Sequence, residues 1–102
     1  MIWSEGSGLS AYVYMLRCSD GSYDVGSTRK SLEDRVQEHQ AGSFDGYTAA
    51  RRPVALVFHE QFLRIEDAIA DEQKLKGWSR AKKEALVAGD FGLIHELAKR
   101  RT

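Results

Sequence analysis

Two strand-like stretches bracket an Asp-Gly pair near the start of the chain, and no other feature limits the fold so tightly. Residues 11–18 read AYVYMLRC and residues 22–27 read SYDVGS, with Asp20-Gly21 between them. Aromatic and β-branched side chains favour extended backbone and Asp-Gly reverses it, so the segment reads as a β-hairpin. Alternation puts Tyr12, Tyr14, Leu16 and Cys18 on one face of the first strand and Val13, Met15 and Arg17 on the other. Loop length decides where Asp24 falls. A two-residue turn, which turn statistics favour, pairs Arg17 with Asp24 as a structural ion pair. A three-residue loop or a bulge moves Asp24 onto the Tyr14 face, where it joins a polar site. Gly26 signals a bulge or a close approach to the backbone.

Both faces of such a ribbon need cover, and the rest of the chain supplies it. Ser31-Leu32-Glu33-Asp34 resembles a capping box and predicts a short helix from Leu32 to Gln40, stopped by Gly42. Residues 43–52 form a polar loop carrying Tyr47. Pro53 introduces a third strand over Val54 to Glu60, VALVFHE. A helix follows from about Arg64 to Gly77, with Ile65, Ala68, Ile69 and Leu75 at helical spacing. Ser79 caps another helix through about Ala88, and Gly89-Asp90 opens a last one holding Phe91, Ile94 and Leu97. The expected fold is α+β: a small three-stranded mixed sheet in the order β-β-α-β-α-α, closed by a further helix and flanked by helices. The chain has 102 residues, 42% hydrophobic and 29% charged, enough for one modest core. Residues 1–10, MIWSEGSGLS, read as a flexible lead-in and residues 11–102 as a single domain.

No apolar run is long enough to span a bilayer, and the start lacks the basic and apolar parts of a secretory signal. Cys18 is the lone cysteine, so the expected setting is reducing and cytoplasmic, with no membrane partner. Formal net charge is zero, so no bulk field advertises a polyanion. Basic residues nevertheless cluster at Arg51-Arg52, at Lys74, Lys76, Arg80, Lys82 and Lys83, and at Lys99-Arg100-Arg101. Solvated helix faces explain such mixing, and so does a basic stripe along a phosphate backbone. On the second reading Arg51, Arg52, Lys74, Lys76 and Arg80 are the candidates for substrate phosphates.

Glu72 is out of place. It stands seven residues after Ile65, four after Ala68 and three before Leu75, inside the apolar stripe of its helix. A carboxylate facing a core needs a metal or an arginine to neutralise it, unless it sits at the rim and reaches water. Arg35 and His39 share a helix face at i,i+4, either as a surface pair or as part of a site. Tyr14, Arg35, His39, Tyr47 and Glu72 are the kinds of group that phosphodiester hydrolysis uses. Glu72 can hold Mg²⁺ or Mn²⁺, with water completing the shell. Such an ion offsets charge developing on phosphate. Arg35 can clamp a phosphate oxygen. A tyrosine can orient or deprotonate the attacking water, provided neighbouring cations lower its pKa from about 10. His59 and His95 lack metal-ligating neighbours at useful spacing, and Trp78 reads as packing at a helix junction.

In this order AYVYMLRCSDGSYDVGST, SLEDRVQEHQAG, GYTAARRPVALVFHE and EDAIADEQKLKGWSRAKKEALVAGD resemble the GIY-YIG nuclease fold. The likeness is greatest to small stand-alone bacterial members of the excinuclease-like or URI endonuclease kind, and it spans Ala11 to Asp90. The first motif stands as Tyr12-Val13-Tyr14, with Tyr14 at the catalytic tyrosine, and the second as Asp24-Val25-Gly26. Arg35 is the helix arginine, His39 follows one turn on, Tyr47 is the loop tyrosine, and Glu72 matches the metal-binding glutamate. The resemblance implies a divalent-metal-dependent endonuclease acting on DNA, leaving a 3′-hydroxyl and a 5′-phosphate. It also implies that both motif tyrosines face the site, which selects the odd hairpin loop.

One position departs from the pattern. Asp24 stands where the family has its second tyrosine, and Tyr23, one residue away, points to the opposite face. Asp24 can serve as a base or an extra metal ligand, can impair cleavage by bringing a fixed negative charge towards phosphate, or can leave Tyr14 to act alone. The alternative function is a non-catalytic nucleic-acid-binding module whose nuclease site has decayed.

Overall fold

The computed structural model describes residues 10–42 and 46–100. The expected lead-in apart from Ser10, part of the Tyr47 loop and the end of the C-terminal basic run lie outside the described residues. Strands β1 (Ala11–Arg17) and β2 (Tyr23–Thr28) form the hairpin. Helix α1 (Leu32–Gln40) follows, then β3 (Ala55–Phe62), α2 (Ile65–Lys76), α3 (Arg80–Ala88) and α4 (Phe91–Arg100). None of the described helices is long and apolar enough to cross a membrane.

The hairpin loop is Ser19-Asp20-Gly21, three residues rather than two. Gly21 N donates to Cys18 O at 2.9 Å and Cys18 N to Ser22 O at 2.8 Å. Gly21 takes φ of +84°, the left-handed residue this loop requires. Asp20 Oδ1 accepts from Ser22 N at 3.0 Å and so uses the aspartate to hold the longer loop. The register therefore pairs Leu16 with Asp24 and Tyr14 with Gly26. Asp24 lies on the Tyr14 face, and the Arg17–Asp24 pairing of the shorter turn does not form.

The fold is α+β and three-stranded, with sheet order β2-β1-β3. Both strand pairs are antiparallel, where a mixed sheet was expected. The crossover through α1 delivers β3 to the far side of β1, so β2 and β3 run the same way without touching. One layer of core, Val13, Met15, Val25, Ala68 and Leu75, lies between the sheet and α2, with Trp78, Leu86 and Val87 packed against it. Trp78 thus packs the helix junction. The opposite layer, Tyr14, Leu16, Cys18 and Val54, is covered by Leu32 and Val36 of α1. The β1–β3 register shifts between Met15 and Leu16, leaving Val57 as an extra residue. Both Val57 and Phe58 consequently pack on the α2 side.

On α2, Ala68 and Leu75 are buried, but Ile69 is 44% exposed. The apolar stripe is narrower than the sequence suggests and is centred on Ala68 and Leu75. Glu72 belongs to it.

Candidate active site

Helix α1 is built to present two side chains to the sheet. Ser31 Oγ accepts from Asp34 N at 3.1 Å at its start, and Gly42, at φ +74°, follows its end. Arg35 and His39 then meet Tyr14 of β1. The Tyr14 ring lies across Gly26 of β2, where a Cβ would collide with the phenol. This is the close approach that a glycine in the strand signals.

Tyr14 Oη lies 2.9 Å from His39 Nε2 and accepts from Arg35 Nε at 3.1 Å. The two rings meet edge-on, with centroids 5.7 Å apart. His39 Nδ1 is 2.7 Å from Thr48 Oγ1. Arg35 Nη1 donates to Glu38 at 3.4 Å, and Glu38 also pairs with Lys30. Tyr14, His39 and Thr48 are all buried.

Burial pushes the Tyr14 phenol above its ordinary pKa; Arg35 pulls it down, while the charges of Asp24 and Glu72 push it up. Arg35 is the cation that lowers this pKa, and burial outweighs it. Tyr14 is a protonated phenol at neutral pH. Burial lowers the His39 pKa; Asp24 opposes this and Arg35 adds to it. A neutral imidazole therefore faces a neutral phenol. Burial raises the Asp24 pKa against the pull of His39 and Lys76.

Glu72 arrives from the other layer. Ser27, one residue past Gly26 and so on the opposite face of β2, donates to Glu72 Oε1 at 2.6 Å. Lys76 Nζ pairs with Glu72 Oε2 at 2.9 Å, and the Glu72 side chain is 13% exposed. Its hydrogen bonds go to Ser27 and Lys76 rather than to Tyr14. The charge of Glu72 nevertheless raises the pKa of both Tyr14 and Asp24. Among the described residues no group of three or more His, Cys, Asp or Glu side chains gathers as a metal cage. A hard cation held mainly by one carboxylate and by water is the kind that the Glu72 carboxylate can hold.

The remaining candidates are less central. Tyr47 is 43% exposed and lies under the Arg51 guanidinium, which is 3.9 Å from its ring centroid. Arg51 pairs with Asp20 at 3.0 Å, and Arg52 donates to Ala49 O at 3.0 Å. Lys74 pairs with Asp71 at 3.3 Å and Arg80 with Glu84 at 3.0 Å. Of the five basic candidates, Lys76 reaches the site, as partner of Glu72. Sequence reasoning missed Thr48 and Ser27. Strand alternation could have found Ser27, since it puts that hydroxyl on the layer that α2 covers. No local pattern marks Thr48.

A small three-stranded α+β domain thus carries a phenol cluster on one layer and a lysine-paired glutamate on the other. Residues 10–85 match the model of the GIY-YIG catalytic domain, and the chain belongs to that nuclease family. It is 41% identical over 76 residues to a UPF0213 protein of Bacillus pumilus, covering 74% of this chain and 76% of that one. It is 46% identical over 81 residues to a UPF0213 protein of Natronomonas pharaonis, covering 79% and 94%. The solution NMR structure of a UPF0213 protein from Bacillus halodurans superposes with a TM-score of 0.50 at 39% identity, covering 78% of this chain and 83% of that one.

Proposed function

We propose that this chain is a divalent-metal-dependent endonuclease that hydrolyses DNA phosphodiester bonds, slowed by Asp24 at the second motif position. The observation that carries this reading is the hydrogen-bonded line from Arg35 through Tyr14 to His39, with Glu72 acting on the same phenol from across the edge strand. Tyr14 takes a proton from the attacking water as it passes its own to His39 Nε2. A neutral histidine is the right acceptor, and Arg35 stabilises negative charge on the phenol oxygen during the transfer. Arg35 also brings fixed positive charge towards a phosphate beside Tyr14. Glu72 would hold Mg²⁺ or Mn²⁺, with Asp24 as an additional oxygen donor; the ion, when bound, offsets charge on the phosphate and the leaving oxygen. On this reading Arg51 and Arg52 would contact flanking phosphates by giving up their bonds to Asp20 and Ala49 O. The buried free thiol of Cys18 goes with a reducing, cytoplasmic setting.

The second reading, nucleic-acid binding without cleavage, draws on Asp24 itself. Its carboxylate stands on the Tyr14 face, where a negative charge opposes an incoming phosphate and adds to the charge of Glu72. A cleavage assay with Mg²⁺ and Mn²⁺ on labelled single-stranded, duplex and branched DNA and on RNA separates the two. Asp24→Tyr should cleave at least about tenfold faster than the unaltered chain, the low end of the range for one acid–base or charge contribution. Salt-sensitive binding with no cleavage by either form would support the second reading.

A further inference from the structure

We infer that Ser27 is a positioning residue for Glu72, holding one carboxylate oxygen so that the other is presented to a divalent cation. The cation comes from the nuclease reading, on which this role rests; the geometry comes from the packing of one layer. On the α2 side of the sheet, Val13 and Met15 of β1 and Val25 of β2 are buried and apolar. Ser27 stands two residues after Val25, on the same face, and directly across from Val13. A β-branched apolar side chain suits such a position, and a serine hydroxyl adds nothing to its packing. Glu72 interrupts the facing stripe of α2 in the same way, between the buried Ala68 and Leu75. The two polar intrusions meet, with Ser27 Oγ 2.6 Å from Glu72 Oε1.

The direction of this bond follows from the partners. A carboxylate paired with an ammonium has only acceptors, so the serine hydroxyl donates. The two oxygens of Glu72 are thereby divided: Oε1 takes Ser27, and Oε2 takes Lys76 Nζ at 2.9 Å. The ammonium marks the oxygen that already faces positive charge. A metal ion taking the place of Lys76 would meet Oε2 and leave the serine bond intact. The two partners differ in what they can do. Lys76 is half-exposed on a long stem and sits one turn along the same helix, so it can swing away. Ser27 is short and fixed by its strand, and it ties the carboxylate to a different element. Holding a flexible glutamate in one rotamer before a ligand arrives removes part of the ordering cost of binding. Ser27 touches no reacting atom and acts through Glu72, as the outer partner of a metal ligand does.

The test is Mn²⁺ binding by calorimetry, with Mn²⁺-induced broadening of NMR signals, in the DNA-free chain and in Ser27→Ala and Ser27→Thr. The unaltered chain should bind Mn²⁺ with selective broadening of the Ser27 signals. Ser27→Ala removes the donor and should weaken binding by about tenfold, the low end for loss of an outer partner. Ser27→Thr keeps the hydroxyl on a residue that suits a strand and should recover most of the loss. Unchanged affinity in a folded Ser27→Ala overturns the inference. So does an equal loss in both variants, which would assign the effect to shape rather than to the hydroxyl. Ser27 signals that stay sharp in the unaltered chain overturn it even if Ser27→Ala does not fold, and a chain that binds no Mn²⁺ ends both the inference and the metal assignment. If binding behaves as stated and the unaltered chain cuts no DNA, the nuclease reading fails while the assignment of Ser27 stands.

Discussion

Asp24 is held half-buried beside His39, and its carboxyl titrates above the ordinary range because burial penalises the charged form. A raised pKa in the folded chain means that folding favours the protonated acid. The ionised form therefore costs stability at every pH above that raised value, and the cost fades as pH falls towards the ordinary value of about 3.9. Asp24→Asn should raise Tm at neutral pH, and its advantage should shrink by pH 4; an equal gain at both pH values would show that charge is not the cause. The neighbouring carboxylate poses a different problem. Both oxygens of Glu72 are engaged, one by Ser27 and one by Lys76, so on the proposed function a divalent cation would have to displace an ammonium. Lys76→Met should tighten Mn²⁺ binding, read by calorimetry, by about fivefold, the worth of a half-exposed ion pair; unchanged affinity would mean the lysine does not compete. At this scale the sequence disclosed Arg35 and His39 through their i,i+4 spacing and Glu72 through its intrusion into an apolar stripe. It did not disclose Thr48, whose contact with His39 depends on where a loop returns, or the side of the sheet from which Glu72 arrives.

The hairpin is the element on which the site turns. Asp-Gly favours a two-residue reversal in isolation, but here Asp20 accepts from Ser22 and Gly21 supplies the left-handed residue of a longer loop. That single residue of loop length carries Asp24 to the Tyr14 face and brings Gly26 opposite Tyr14. Gly26→Ala should then destabilise the fold by about 1–3 kcal/mol, the usual cost of forcing extra volume into a packed site. It should also move Tyr14 away from His39, seen as loss of their hydrogen bond by NMR. Unchanged stability with the bond intact would show that the phenol does not need the glycine. Helix α1 was legible to its bounds, since Ser31 and Gly42 mark both ends in the sequence. Strand β3 runs past the expected end, to Phe62, and its bulge at Val57 has no local signature. Ile69 looked like core because it repeats at helical spacing, yet the stripe that meets the sheet is narrow enough to leave it in solvent.

The whole molecule holds Tyr14, Arg35 and His39 on one layer of the sheet and Glu72, bonded to Ser27, on the other. On the proposed function a substrate phosphate would have to meet Tyr14, Arg35 and His39 on the α1 side and a cation held by Glu72 on the α2 side. Overall charge adds nothing to the approach, since the chain is formally neutral and Arg51, Lys74, Lys76 and Arg80 are paired with carboxylates, so on the proposed function affinity has to come from the local site. The family and the three-stranded α+β layout were legible in the order of motifs along the chain. The antiparallel pairing of β3 was not, because strand direction is set by how the α1 crossover returns. The most direct measurement compares the unaltered chain with Glu72→Ala for Mn²⁺ binding and for Mn²⁺-dependent cleavage of labelled DNA. Loss of both in a variant that keeps its fold and its Tyr14–His39 hydrogen bond is the expected result. Cleavage by Glu72→Ala at the unaltered rate would contradict the assignment of Glu72 as the point where a cation and a phosphodiester meet.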